Sequence, residues 1–150
     1  MYYTIDKSEL HALVAQQVSL VADEAYGDNG ISLYDSVVLT EKDTPTVERL
    51  INDAVAAIAS RCFDICKYYY DTDTSSSSGE RLYFYVPDLD ETMEETIGQD
   101  LTDFIVLFTC NQIFLTRRPS VVPVFTEQAQ AALNRAVSLL KSRKSPIKIW

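Results

Sequence analysis

One hundred and fifty residues, 47% of them apolar and 23% charged, are enough for one domain with a real core and are ordinary for a soluble globular protein. The formal net charge of −9 argues against general nucleic-acid binding, which needs a net basic face to displace counterions. The charge is also polarised: seven basic residues face one acid, Glu127, between Arg117 and Trp150, whereas residues 1–116 hold 21 acids and six Lys or Arg.

The first predicted helix runs from Ser8, as its cap, to about Ala25. Leu10, Leu13, Val14, Val18, Val21 and Ala25 follow the three-and-four spacing of one apolar stripe. Residues 1–6 lack the basic start of a signal peptide, and polar residues interrupt residues 10–21. Gly27, Asn29 and Gly30 break the helix. Ile31 to Thr40 reads equally as a short strand, with Ile31, Leu33, Val37 and Leu39 of one parity, or as an extended connection.

A second helix is expected from a cap at Asp43 or Thr44, with Pro45 in its first turn where a missing N–H costs nothing. Its stripe, from Val47 through Leu50, Ile51, Ala54, Ile58, Cys62 and Cys66, carries it to about Tyr69. Such a rod would be about 37 Å long at 1.5 Å per residue. Residues 71–79 form a polar, serine-rich loop. Glu80 to Pro87 alternates Leu82, Phe84 and Val86 against Arg81, Tyr83 and Tyr85 and reads as a strand. It must pair with something: residues 31–39, the C-terminal tail, or a neighbouring subunit.

The third helix is expected from Asp90 to Arg117, with a capping box at Thr92 and Glu95 and acids crowding its positive end. Apolar residues from Ile97 to Leu115 make it the most buried of the set, and Pro119 stops it. A fourth helix follows from about Val121 to Arg143. The predicted fold is therefore mainly α: one four-helix bundle-like domain over residues 1–144, with a long central helix and a minor β element. Residues 145–150 follow as a short interaction tail. No apolar run reaches the roughly 18 residues of a membrane span, so no membrane partner is expected.

Three cysteines are too few for a secreted disulfide scaffold and place the chain in a reducing cytoplasm. Cys62 and Cys66, four apart on one predicted helix face, would make a zinc site with Cys110 and His11. Their spacing is not that of a zinc knuckle, and burial in the core explains them better. His11, the one histidine, has no second histidine to support a metal or acid–base site and reads as a surface or partly packed residue. The acids Asp88, Asp90, Glu91, Glu94 and Glu95 lack the spacing of a calcium loop and suit helix capping and a solvated face. There is no phosphate loop, nucleophile elbow or His-Glu-x-x-His motif. The expectation is a protein that is not an enzyme and holds no cofactor or metal.

Two features point to a binding role instead. Tyr68, Tyr69, Tyr70, Tyr83 and Tyr85 flank the serine loop, and read equally as interface residues or as cross-strand aromatic pairs. Ile147, Ile149 and Trp150 form a strand-like tail with an aromatic anchor, which favours a partner's sheet or groove over the tail's own domain.

The order of elements resembles the small head–tail connector proteins of tailed bacteriophages and prophages. The resemblance lies in Met1-Tyr2-Tyr3-Thr4-Ile5 leading into a helix and in a long helix after Thr44-Pro45. It continues in an apolar helix from Leu101 to Pro119 and an Ala-rich helix with a basic end from Thr126 to Lys144. The serine loop, the strand at 80–87 and the Trp150 ending depart from the plain pattern. The resemblance implies a virion protein, assembled in the host bacterial cytoplasm into a ring of its own copies between portal and tail proteins, without catalysis. DNA would be met only in the ring lumen. The basic and apolar side of the contact is expected at Arg135, Lys141, Arg143, Lys144, Ile147, Ile149 and Trp150. The other side is expected at Tyr83, Tyr85, Asp88, Asp90 and Glu91. The alternative is a cytoplasmic adaptor or regulator, monomer or dimer, that binds one protein through the same tail.

Overall fold

A computed structural model describes residues 1–70, 80–87 and 89–141. It is mainly helical with a small antiparallel sheet, as expected. In chain order the elements are β1 (Tyr2–Thr4), α1 (Lys7–Asp23), α2 (Tyr34–Val37), α3 (Thr44–Arg61), β2 (Cys66–Tyr70), β3 (Glu80–Phe84), α4 (Glu91–Arg117) and α5 (Val122–Lys141). The serine loop, residue 88 and residues 142–150 lie outside the described residues.

The 27-residue α4 is the central element. It packs along α5 and also touches α1 and α3. Its inward face buries Ile97, Leu101, Phe104, Ile105, Cys110 and Phe114, and burial of apolar surface on this scale is the main force holding the bundle. Phe114 meets Phe125 of α5 edge to face, with ring centroids 4.9 Å apart. The alanines Ala129, Ala132 and Ala136 are buried on α5; with no bulk beyond Cβ, they let the two helices run close.

Both caps differ from expectation. Asp6, not Ser8, caps α1, its carboxylate accepting the Glu9 N–H at 3.2 Å. The reason is tertiary: Ile5 donates its N–H to the Glu80 carbonyl, so the chain is still tied alongside β3 just past the end of β1 and turns helical directly after it. Asp90, not the Thr92–Glu95 pair, caps α4, accepting the Met93 N–H at 2.8 Å.

Ile31 to Thr40 is not a strand. Gly27 and Ile31 close a turn around Gly30, whose φ of +75° suits glycine, and Tyr34–Val37 forms one helical turn. Of the apolar residues sharing one parity there, Val37 is buried while Ile31 is 63% exposed. The second predicted helix also ends early. It spans 18 residues, about 27 Å at 1.5 Å per residue. The apolar stripe continues past Arg61 in sequence, but Ile65 bonds back to Cys62 in a tight turn. Residues 66–70 then leave the helix for the sheet, because β3 needs a partner and β-prone tyrosines supply it.

The sheet order is β1-β3-β2, both pairs antiparallel. Tyr3 and Tyr68 lie opposite Leu82, and Tyr2 and Lys67 opposite Tyr83. The partners of β3 are thus the N-terminal strand and the segment just before the loop. Residues 31–39 are not among them. The alternation within 80–86 holds: Leu82 and Phe84 are fully buried, and Tyr85 is 72% exposed.

Candidate interaction surface

The outward face of the sheet gathers aromatic rings from all three strands. Tyr2 stands 4.8 Å from Tyr83 between ring centroids, and Tyr69 lies about 6.4 Å from Tyr83. The Arg81 guanidinium sits 5.2 Å above the Tyr2 ring, within cation–π range. Tyr2, Tyr69 and Tyr85 all remain exposed. The tyrosines therefore do make cross-strand pairs, and they present a continuous aromatic surface while doing so. Tyr2 was not among the expected contact residues. Its signal was the Met1–Ile5 alternation, which becomes visible as a strand only once β3 is known.

Behind this face, Tyr3 points into the core and its hydroxyl meets Thr102 Oγ1 of α4 at 2.8 Å. Burial outweighs that hydrogen bond and pushes the phenol up to about 12. This contact ties the sheet to the central helix. Lys7 adds a second tie, bonding Glu80 of β3 at 2.9 Å and Glu48 of α3 at 3.3 Å. Burial opposes its charge, and the bonds to Glu80 and Glu48 more than offset this, so its pKa is raised.

The expected contact residues other than Tyr83 and Tyr85 lie away from the tyrosine rings or outside the described residues. Arg135 is exposed on α5, but its Nε lies 3.3 Å from Asp100 Oδ1 of α4 within the same chain. Lys141 is exposed at the end of α5, beside Arg61 and Asn134. Asp90 and Glu91 are exposed at the start of α4. Tyr83 is half-buried within the aromatic cluster. Arg143, Lys144, Ile147, Ile149, Trp150 and Asp88 lie outside the described residues. Arg117 is already engaged in its own chain, with Asp43, so the polarity read along the sequence is partly neutralised in the fold.

Cys62 and Cys66 lie near each other, but the three cysteines and His11 do not form one cluster among the described residues. Cys62 caps the end of α3 and Cys66 begins β2, so they do not share a helix face. Cys110 is buried, with its thiol 3.9 Å from the Val14 carbonyl. Burial raises all three thiols, Cys66 to about 11 and Cys110 to about 12. His11 is half-buried on α1. Among the described residues, no group of three or more His, Cys, Asp or Glu is placed to hold a metal, and no helix is long and apolar enough to cross a membrane.

Comparison with protein-family models, with curated proteins and with solved structures finds no match to this chain.

Proposed function

We propose that the chain is a non-enzymatic structural subunit of a phage or prophage particle, a head–tail connector whose copies close into a ring by head-to-tail packing. The observation that carries this reading is the tyrosine face formed by Tyr2, Tyr69, Tyr83 and Tyr85. Exposed aromatic rings with polar tips, grouped on a rigid sheet, are the surface chemistry of protein–protein contacts. The exposed Asp90 and Glu91 at the start of α4 and Lys141 at the end of the antiparallel α5 put both signs of charge at one end of the bundle, a mixed surface that a neighbouring copy would meet with complementary charge. A contact between unlike surfaces of successive copies closes a ring when its rotation closes. The ring would lie between portal and tail proteins, with DNA met only in its lumen.

Native mass spectrometry across concentration and salt tests this. A single closed oligomer that weakens with salt is the expected result, since exposed charge pairs are screened. A chain that stays monomeric both alone and with a portal ring present overturns the connector reading and favours a protein-binding adaptor.

A further inference from the structure

Two exposed surfaces of unlike charge lie at the two ends of α1. At its start is the sheet, tied to the helix by the Lys7–Glu80 ion pair. The outward positions of the strands bring Lys67 opposite Tyr83 and Tyr69 opposite Arg81, with Tyr2 on the other side of Tyr83. No acid falls on that face within the three strands.

Past the far end of α1 the chain makes the turn around Gly30, held to the helix by the Leu33 N–H on the Ala25 carbonyl. Here Tyr26 is 56% exposed and Ile31 63%, with Leu20 and Tyr34 also exposed. Large apolar residues gathered on a surface mark an interaction site more often than single ones do. Residues 20–35 also hold Asp23, Glu24, Asp28 and Asp35, all exposed, and no Lys or Arg. Arg117 and Arg118 close α4 at this end, and Arg117 already pairs with Asp43.

We propose that the tyrosine face of one copy docks on the 20–35 turn of the next copy. This deepens, and rests on, the reading of the tyrosine face as a contact between copies. The 17 residues of α1 measure about 25 Å at 1.5 Å per residue, so a rigid helix keeps the two surfaces apart within one chain. Between chains they match: Lys67 and Arg81 meet the acids of the turn, and the tyrosine rings meet Tyr26 and Ile31. Opposite charge steers the encounter and fixes its register, while aromatic and apolar area supplies the burial. The two surfaces differ, so each bound copy still offers one of them to a further copy until a ring closes.

That property gives the test. Lys67→Glu with Tyr85→Glu blocks the sheet face, and Asp28→Lys with Ile31→Lys blocks the turn. All four positions are exposed, where substitutions leave folding nearly unchanged; circular dichroism checks this, and Lys67→Glu or Asp28→Lys alone replaces a pair that does not fold. In native mass spectrometry each variant alone is expected to assemble about tenfold or more weakly than the unmodified chain. Mixed in equal amounts, the two are expected to form a two-chain complex that grows no further, because one intact contact remains. Variants that assemble as readily as the unmodified chain, or a mixture that yields no pair, overturn the proposal, and the oligomer's mass still reports on the connector reading. An unmodified chain that stays single at every concentration also overturns it, and the portal-ring experiment then decides the connector reading on its own.

Discussion

Arg117 and Asp43, 74 residues apart in sequence, meet with Nη2 2.7 Å from Oδ1. The same guanidinium donates to the Val38 carbonyl at 2.9 Å. One side chain at the end of α4 thus fastens the segment between α2 and α3 to the central helix. Asp43 is also held by the Thr40 N–H at 2.8 Å.

This contact makes stability depend on pH in one direction. The Arg117 hydrogen bond, with that from Thr40, holds the Asp43 carboxyl below its usual value. Its contribution is therefore present above the unfolded carboxylate pKa of about 3.9 and is lost as pH falls through the lower folded value. Arg117→Ala is expected to cost about 1–2 kcal/mol at neutral pH, discounted for partial exposure. Urea unfolding at pH 7 and at low pH checks this, and the loss should shrink at the acid end.

Thr109 is fully buried on α4, and its hydroxyl has no hydrogen-bond partner among the described residues. Replacing a buried, unsatisfied hydroxyl with a methyl group of similar shape removes a desolvation cost. Thr109→Val should raise stability by about 1 kcal/mol, read as a higher urea midpoint at constant slope.

Thiol chemistry should report the burial of the cysteines. Cys62 and Cys110 are buried and Cys66 is half-buried, and burial raises all three thiols. Because the thiolate is the nucleophile, iodoacetamide at pH 7.5 should label the native chain far more slowly than the chain in urea. Intact mass after timed quenching should show three adducts only in the denatured sample.

The tyrosine face separates folding from assembly. Tyr85 is mostly exposed, so Tyr85→Ser should change stability by no more than about 0.5 kcal/mol. Combined with Lys141→Glu, it is expected to weaken any ring by at least tenfold in midpoint concentration, measured by native mass spectrometry. A ring that forms equally well would remove this face from the contact.

Much of the fold was legible because its signals are local. Periodicity from Leu10 to Ala22, Pro45 behind an acidic cap, and the apolar run from Ile97 to Phe114 each specify a helix within a few turns of chain. The alternation at Leu82, Tyr83 and Phe84 likewise gave a strand and its buried side.

What the sequence alone determined, then, is the helical class, the central place of α4 and the burial of one face of β3. Only the tertiary structure decided the rest, because each remaining choice depends on a partner distant in sequence. Residues 66–70 carry on the apolar spacing of α3 yet become a strand, since pairing satisfies the backbone of β3. Tyr2 joins Tyr69 and Tyr83 across 67 and 81 residues, a grouping that no local pattern encodes. Arg117 and Arg135 read as unspent positive charge along the chain, but the fold brings Asp43 and Asp100 to them. Charge can be counted from sequence; whether it is free to meet a partner is settled only by which acids the packing places within reach.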